Sequence, residues 1–412
     1  MGAPGSFCSN ILDGQTGKAM SAPLSSLKVL DFSTLLPGPF ATLLLADMGA
    51  EILRVESASR VDLVRNLPPV VNGVSASHAY LNRNKRCIAL DLKKSESQAL
   101  VRQLIASYDV IVEQFRPGVM DAFNLGYEAL RQINPRLIYV SVTGYGQSGP
   151  YRPRAGHDLN YLALSGLSSY SGRREYGPAP LGMQVADVAG GSLHAVAALL
   201  AAVIQRQHTG DGQHIDVSMA DCVLTLNGVI AAGFLADRKV PDYESHILNG
   251  GGFYDYYRTR DDRWLAVASM EPKFQQALCA ALERPELMAL AGSVRAADQQ
   301  AFKAALKAAF VAQDLDYWCE LFAGVDACVE PVLNLAEALE HPHFQARDMV
   351  RQVPGDDGQV HRQLACPVRF SRSETLLKHA GKSVGADSLR VLQELGYDQE
   401  QIAAFYEAGA VA

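Results

Sequence analysis

The chain has 412 residues, 48% of them hydrophobic and 20% charged, which is ordinary for a globular protein large enough to form two or three domains. Its net charge of −7 argues against a surface devoted to nucleic acid, although local arginines could still bind an anionic ligand. The seven cysteines are scattered without a C-x-x-C pair, so they predict neither a disulfide framework nor a zinc site.

The sequence of the N-terminal region predicts no targeting signal. Residues 1–20 lack the charged segment and apolar core of a signal peptide, and we predict a disordered leader or tag there. The longest apolar run, near residues 195–204, falls short of the roughly 18 residues that a membrane span needs. These features predict a cytoplasmic protein that has no membrane partner.

Short β-branched runs alternate with helical stretches through the first half of the chain. Strands are predicted at 27–32, 51–55, 87–92, 110–114 and 137–142, and helices at 40–48, 95–108 and 127–133. This alternation indicates right-handed crossovers and a mostly parallel sheet. We therefore predict an α/β fold whose Rossmann-like large domain spans residues 21–215. The first turn reads Leu36-Pro37-Gly38-Pro39 instead of G-x-G-x-x-G, so neither NAD nor FAD is expected.

Two almost wholly apolar helices are predicted next, at 187–207 and 220–236. A helix that is apolar all round is buried, and at the edge of a domain this indicates burial in a second subunit. Residues 216–253 are predicted to be linker helices that end in the breaker NGGGF. A smaller α+β domain is predicted at 254–335, followed by a C-terminal segment, 336–412, that returns to the large domain.

Three residues are candidates for acid–base chemistry. His157 follows the Gly-rich sequence TGYGQSGP at the carboxyl end of a predicted strand, where open α/β sheets bind ligands. It suits a general acid or base, or it organises the loop. Asp187 begins a predicted helix, where it either caps the helix or is held ionised for catalysis. Glu271 follows a predicted strand and either starts a helix or pairs with an imidazolium.

Basic residues gather at the ends of two predicted strands. They are Arg83, Lys85, Arg86, Lys93, Lys94 and Arg116. Such clusters suit the phosphates of a polyanion, which arginine binds in a bidentate manner. A solvated basic rim is the alternative.

Seven collinear segments between about residues 24 and 370 resemble the family III CoA-transferases (the CaiB/BaiF family), a group that includes both CoA-transferases and acyl-CoA racemases. The segments are LKVLDFSTLLPGPFATLLLADMGAEILRVE, NRNKRCIALDLK, VIVEQFRPGV, LIYVSVTGYGQSGP, AGHDLNYLALSG, ADVAGGS and DACVEPVL. The details resemble the racemase branch. His157 and Asp158 match its G-H-D motif, Asp187 its catalytic aspartate, and Glu271 the glutamate of its E-P-x-F motif.

The racemase resemblance implies a 2-methylacyl-CoA racemase that exchanges the α-proton of the thioester between two bases, His157 and Asp187. Glu271, from the small domain, is then expected to bond to His157, and the backbone N–H of Asp158 to stabilise the enolate oxygen. No metal or further cofactor is implied. Alternatively, a CoA-transferase would use Asp187 as a nucleophile, passing through an acyl anhydride and a CoA thioester, without need of the histidine. A glycine-rich run such as 250–252 also occurs in transferases, and a non-catalytic CoA-binding scaffold is a third reading.

The same resemblance assigns the coenzyme A contacts. They are Arg86, Leu90, Lys93, Gln114, Phe115 and Arg116. One position departs from the family pattern, because Ala122 stands where a basic residue is usual, and this leaves the pose of coenzyme A open. The resemblance finally implies an interlocked homodimer, with each active site between one large and one small domain.

Overall fold

The computed structural model describes residues 21–57, 59–356 and 358–412, and the predicted leader at 1–20 lies outside them. The strands are β1 (Lys28–Asp31), β2 (Glu51–Glu56), β3 (Val70–Val71), β4 (Val74–Ser75), β5 (Arg86–Ala89), β6 (Val110–Glu113), β7 (Ile138–Thr143), β8 (Gly172–Arg173), β9 (Gly177–Pro178), β10 (His214–Ser218), β11 (Asp255–Arg258), β12 (Trp264–Val267), β13 (Val329–Pro331), β14 (Val350–Pro354) and β15 (Val360–Leu364).

The α-helices of the first half are α1 (Pro37–Asp47), α2 (Ala76–Leu81), α3 (Ser95–Ile105), α4 (Val119–Ala122), α5 (Tyr127–Leu130), α6 (Asp158–Leu164), α7 (His194–Thr209), α8 (Met219–Leu226) and α9 (Gly228–Asp237). A π-helical segment (Ala186–Leu193) runs directly into α7. The later helices are α10 (Pro272–Ala281), α11 (Met288–Ala291), α12 (Ala296–Phe310), α13 (Leu315–Phe322), α14 (Leu335–Glu340), α15 (Pro342–Ala346), α16 (Ser388–Glu394) and α17 (Gln399–Glu407).

A six-stranded sheet with the order β10-β7-β6-β1-β2-β5 forms the centre of the fold, and every neighbouring pair in it is parallel. The prediction of an α/β fold with a parallel sheet is therefore confirmed. Five of the six strands match the predicted runs to within a few residues, whereas β10 was not predicted. Its sequence, HIDVS, alternates polar and apolar residues because it lies at the edge of the sheet.

Apolar side chains cover both faces of this sheet. Val29 of β1 belongs to the core on one face, with α1 and α7, while the adjacent Leu30 belongs to the core on the other face, with α3. The second core also contains Leu392 and Ile402 of the C-terminal helices α16 and α17. The C-terminal segment thus packs against the first half of the chain, as expected from a buried parallel sheet that needs cover on both sides.

A separate core surrounds the antiparallel sheet β11-β12-β13 and helices α10 to α13. Phe310 lies at its centre and contacts the rings of Tyr257, Trp318 and Phe322. This arrangement has the α+β character predicted for 254–335, and the exact domain bounds stay a prediction.

The two apolar helices differ from their predictions. The stretch predicted as one helix over 220–236 breaks at Asn227 into α8 and α9, which are bent by 70°. The Asn227 side-chain amide donates to the carbonyl of Ser165 at 3.3 Å, and its oxygen accepts from the Tyr170 hydroxyl at 2.5 Å. None of the ten residues of α9, all of them described, is buried in the single chain. One chain therefore leaves α9 uncovered, and the predicted burial of this helix in a second subunit stays a prediction.

The other apolar helix is longer than predicted. The π-helical segment and α7 form one helix of 24 residues, Ala186–Thr209, which has the length and composition of a membrane span. One face of it packs into the core of the six-stranded sheet through Ala195, Leu199 and Ala202. Near its end Arg206 pairs with Asp109 at 3.0 Å. These contacts are those of a core helix of an α/β fold.

Candidate active site

The candidate site lies where the sheet reverses its strand order. From β1 the chain moves outward to β2 and β5, whereas from β6 it moves the other way to β7 and β10. The loops that follow β1 and β6 therefore diverge and leave a crevice at the carboxyl edge, which is the usual ligand site of such sheets. Gln114, just after β6, spans this crevice, because its side-chain oxygen accepts the N–H of Gly38 at 2.9 Å.

His157 is exposed and immediately precedes α6. Its backbone N–H donates to the side-chain oxygen of Asn160 at 3.0 Å, so a residue of the first helical turn holds the histidine backbone in place. The imidazole therefore stands at the start of a helix with its side chain accessible. This placement suits a group that exchanges protons with a ligand.

Asp187 is half-buried in the π-helical segment. Burial and the neighbouring Asp158 carboxylate raise the pKa of Asp187 to about 6, against the opposing effect of His157. A carboxyl group with this pKa can both accept and donate a proton near neutrality. Interruptions of this π type are frequent at functional sites. Here, the Ser192 hydroxyl donates to the Pro37 carbonyl at 2.6 Å, which ties the segment to the first residue of α1.

The sequence left open whether Asp187 only caps a helix. It does not, because the helical segment begins one residue earlier, at Ala186. Asp158 takes the capping role instead. Its Oδ1 accepts the N–H groups of Ala186 at 2.6 Å and of Asp187 at 3.1 Å, which lie 28 and 29 residues away. The residue that follows His157 therefore binds the backbone of Asp187 directly, and the two candidate bases are held on one rigid unit.

The backbone N–H of Asp158 occupies the first position of α6, where a helix offers no internal acceptor. Within the described residues it donates to no acceptor. The enolate-binding role that the resemblance assigns to this N–H stays a prediction.

Two tyrosines that the sequence analysis overlooked line this site. The rings of Tyr145 and Tyr161 meet edge to face, with centroids 5.2 Å apart. Burial and the nearby Asp187 carboxylate raise the pKa of Tyr161, which places this phenol beside the candidate base. A Cβ atom on Gly144 would lie 2.5 Å from the Tyr161 hydroxyl, so that glycine is required for the packing. The spacing of four residues from His157 to Tyr161, one helical turn, was the available signal.

Part of the predicted coenzyme A surface is free to bind a ligand. Arg116 and Lys93 are exposed, and neither forms an ion pair within the described parts of the chain. Phe115 is half-buried against the second core, and Gln114 spans the crevice. These residues follow β5 and β6 at the carboxyl edge, so the fold places them on the same side of the sheet as His157 and Asp187.

The basic sequence NRNKR has a structural role, contrary to the phosphate-binding alternative. Arg83 and Lys85 are each 1% exposed. The Arg83 guanidinium forms a bidentate pair with Asp47, at 2.9 and 2.5 Å. The Lys85 ammonium donates to Thr42 Oγ1 at 2.7 Å, and burial lowers the pKa of Lys85 to about 8. A sequence pattern does not reveal whether a cation faces solvent or a buried carboxylate.

Two further predicted contacts are occupied within the chain. Arg86 pairs with Glu394 at 2.6 Å and with Glu51 at 3.4 Å. Leu90 is 1% exposed in the second core, where it lies opposite Val411 of the C-terminal segment. The Leu90 side chain is therefore unable to stack on an adenine in this structure. In this structure, Arg86 and Leu90 are therefore not free to contact coenzyme A, unlike Lys93, Gln114, Phe115 and Arg116.

Glu271 stands apart from the other site residues. It is exposed at the start of α10, and it forms no hydrogen bond or ion pair with His157 or with any other side chain among the described residues. One chain thus assembles His157, Asp158, Asp187 and Tyr161, but it does not supply a carboxylate partner to the imidazole.

The glycine-rich run at 250–252 is firmly held. The Lys303 ammonium donates to the Gly250 carbonyl at 2.6 Å, Gln300 donates to the Gly251 carbonyl at 2.9 Å, and the Gly251 N–H donates to the His246 carbonyl at 2.9 Å. These contacts describe an anchored turn and leave the choice between the racemase and the transferase open.

The fold and the site together define an α/β protein with a half-buried carboxyl group of raised pKa, and with an arginine that is unpaired among the described residues, at the switch point of a parallel sheet. The family described as CoA-transferase family III matches residues 24–388. The chain is 35% identical over 380 residues to an alpha-methylacyl-CoA racemase of Mus musculus, covering 92% of this chain and 95% of the mouse protein. It is 32% identical over 420 residues to an acyl-CoA transferase of Fusarium pseudograminearum, covering 96% and 90%.

A crystal structure of a CAIB/BAIF family protein from Brucella suis superposes with a TM-score of 0.78 at 32% identity, covering 91% of this chain and 100% of that one. The chain therefore belongs to the family III CoA-transferases, whose members include racemases and CoA-transferases.

Proposed function

We propose that this protein is a 2-methylacyl-CoA racemase. The observation that supports it best is the unit formed by His157, Asp158 and Asp187, in which a carboxyl group with a pKa of about 6 is joined through Asp158 to the segment carrying an accessible imidazole. Racemisation needs two groups that exchange protons near neutrality on opposite sides of one carbon. Transfer needs only the carboxylate.

The proposed reaction begins when one base removes the α-proton of the thioester, and the electron pair of the C–H bond moves into an enolate. The N–H of Asp158 donates to the enolate oxygen, where negative charge develops. The conjugate acid of the second base then donates its proton to the opposite face of the same carbon. Each base has changed protonation state after one inversion, so proton exchange with water restores the enzyme.

The alternative proposal is a CoA-transferase in which the Asp187 carboxylate attacks the thioester. The chain is 32% identical to an acyl-CoA transferase over 96% of its length, close to the 35% identity with the racemase, and this similarity supports the transferase alternative. In that reaction the carboxylate forms an acyl anhydride and releases the CoA thiolate, which then attacks the anhydride to leave a CoA thioester on Asp187. The carboxylate of the first acyl group leaves in this step. A second carboxylate then attacks the thioester on Asp187, which forms a new anhydride and releases the CoA thiolate again. The thiolate attacks the carbonyl of the second acyl group, giving the new CoA thioester and the free Asp187 carboxylate.

One experiment distinguishes the racemase, the transferase and a non-catalytic scaffold. The pure protein is incubated in deuterated water with one enantiomer of a 2-methylacyl-CoA, with and without an unrelated carboxylic acid. A racemase incorporates deuterium at Cα and inverts the centre without the acid. A transferase forms a new thioester only when the acid is present, and a scaffold does neither. Transfer without α-exchange would refute the racemase proposal.

Arg116→Ala is expected to raise the KM for acyl-CoA about tenfold and to change kcat by less than twofold. A phosphate contact is made equally in the ground and transition states, so its loss weakens binding without slowing the chemical step. Steady-state kinetics measure both constants. Arg258→Ala, which removes an exposed arginine that pairs with the exposed Asp262 at 2.7 Å, is the control for a change in net charge. An equal KM in the two variants would exclude Arg116 from the coenzyme A site.

A homodimer is part of the proposal, because one chain leaves two features without a partner. The first is α9, whose Val229 and Leu235 are 83% and 64% exposed. The second is Glu271, which has no partner for its carboxylate among the described residues. A second copy of the chain could cover the apolar helix and bring its own Glu271 to His157, and both proposed roles would then be met.

Two impaired variants are expected to restore each other when their chains form a mixed dimer. If each site combines Asp187 from one chain with Glu271 from the other, a dimer of Asp187→Asn and Glu271→Ala chains has one doubly altered site and one intact site. Co-expression with two different affinity tags isolates that dimer, and its expected activity is about half that of the wild type. Each variant as a homodimer is the control. A mixed dimer with no more activity than its parents would show that each site belongs to a single chain.

A further inference from the structure

Glu113, the last residue of β6, is a buried acidic residue immediately before the predicted coenzyme A contacts. It is 5% exposed, and its Oε2 accepts the backbone N–H of Phe115 at 2.8 Å. The carboxylate thereby closes a turn two residues further along the chain. The turn presents Gln114, Phe115 and Arg116 at the switch point of the sheet.

A second set of contacts holds this carboxylate from the neighbouring strands. The Ser141 hydroxyl of β7 bonds to Glu113, and it also bonds to Nε2 of His214, on β10, at 2.9 Å. The His214 ring stacks on Tyr127 with a centroid separation of 5.6 Å. Three parallel strands therefore contribute to one hydrogen-bonded line that ends at the N–H of Phe115.

A small cavity of about 30 Å³ lies beside this line, and Glu113 and Arg116 both line it. Its volume admits a single water molecule. The side-chain nitrogen of Gln147, which also lines it, is buried and has no partner in the structure. The turn thus packs against a small polar cavity. Of the described side chains that line this cavity, only Glu113 bonds to the backbone of the turn.

We infer that Glu113 is a positioning residue for coenzyme A. By accepting the Phe115 N–H, its carboxylate fixes the conformation of the turn from which Gln114 and Arg116 contact the nucleotide part of coenzyme A. This inference rests on the proposed coenzyme A site and adds a residue that touches neither the substrate nor the reacting atoms. It requires an acceptor oxygen at this position, whether charged or neutral.

The electrostatic surroundings agree with a role that does not depend on charge. Burial raises the pKa of Glu113 to about 7, with smaller effects of Asp121 and Asp216 in the same direction and of the Ser141 and Phe115 bonds against it. The titratable and charged groups around the cavity are Arg116, Asp121, Tyr127, Tyr139 and His214. An acid so close to neutrality is present in both protonation states, and either state has an oxygen that accepts from Phe115.

The test compares Glu113→Ala with Glu113→Gln, using free coenzyme A as the probe in titration calorimetry and acyl-CoA in kinetics. Glu113→Ala is expected to raise the Kd of coenzyme A and the KM about tenfold, with kcat changed less than twofold, because only the turn is loosened. Glu113→Gln keeps an acceptor oxygen and is expected to stay within about twofold of the wild type. Asp121→Asn, a carboxylate of the same cavity without a bond to the turn, is the matched control and is expected to bind normally.

An unchanged Kd in Glu113→Ala, or an equal loss in both Glu113 variants, would overturn the inference. If the alanine variant does not fold, Glu113→Leu replaces it, since leucine fills a similar volume and has no oxygen to accept the Phe115 N–H. Coenzyme A binding is independent of whether the enzyme racemises or transfers, so the result does not depend on the choice between those reactions. A wild-type protein that bound no coenzyme A would refute the proposed site itself, and this inference with it.

Discussion

Asp187→Asn is expected to lower the rate of racemisation by roughly 10³-fold, because the amide neither accepts nor donates the transferred proton. The substitution is nearly isosteric, and the capping bonds from Asp158 go to backbone N–H groups, so they should persist. The fold and the affinity for coenzyme A should therefore be retained. Chiral analysis of the product and deuterium incorporation at Cα measure the loss, and thermal unfolding checks the fold.

The pH dependence of the wild type gives the same residue a second test. With a pKa of about 6, the Asp187 carboxyl is ionised at neutral pH and becomes protonated as the pH falls through 6. For the enantiomer whose proton Asp187 removes, the rate should decline over that interval, because a protonated carboxyl cannot act as a base. Asp221 is an exposed aspartate of α8, and Asp221→Asn is the control for the loss of a carboxylate that has no proposed role in catalysis. Racemisation within tenfold of the wild type in Asp187→Asn would exclude a proton-transfer role.

His157→Ala is expected to have an effect of similar size, and it separates the two proposed reactions. A racemase without this imidazole cannot complete the inversion, so racemisation should fall by roughly 10³-fold. The remaining base, Asp187, can still exchange the proton on its own face. Deuterium should therefore enter one enantiomer only, and Asp187→Asn should show the same restriction for the opposite enantiomer.

In the transferase proposal, by contrast, Asp187 alone forms the covalent bonds, and His157→Ala should transfer CoA at nearly the wild-type rate. His208→Ala, an exposed histidine near the end of α7, is the matched control for loss of an imidazole. Full transfer with a free acid, together with no α-exchange in the wild type, would decide for the transferase. Equal exchange of both enantiomers in His157→Ala would contradict the two-base arrangement.

Local pattern was enough to predict most of the large parallel sheet. Strands β6 (VIVE) and β7 (IYVSVT) are rich in β-branched residues, and β1 (KVLD), β2 (EILRVE) and β5 (RCIA) place apolar residues beside charged ones between helical stretches. Apolar side chains of this kind are typical of a sheet that is covered on both faces. The amphipathic edge strand β10 lacks that composition and was missed. The break at Asn227 was also missed, because it depends on bonds from the Asn227 side chain to Ser165 and Tyr170, residues about 60 positions away.

The candidate site divides in the same way. His157, Asp158 and Asp187 could be named from their residue types and motif context, because proton exchange restricts the chemistry to a few side chains. The sequence by itself thus determined the α/β class and named the candidate acid–base groups, whose roles stay a proposal. Only the tertiary structure decided that Asp158 binds the Asp187 backbone, that Arg83 and Lys85 are buried in ion pairs, and that Arg116 has no ion-pair partner among the described residues. The physical reason is that burial and the nearest partner decide whether a charged side chain is paired inside the protein or free to bind a ligand, and both are set by residues that are distant in the chain.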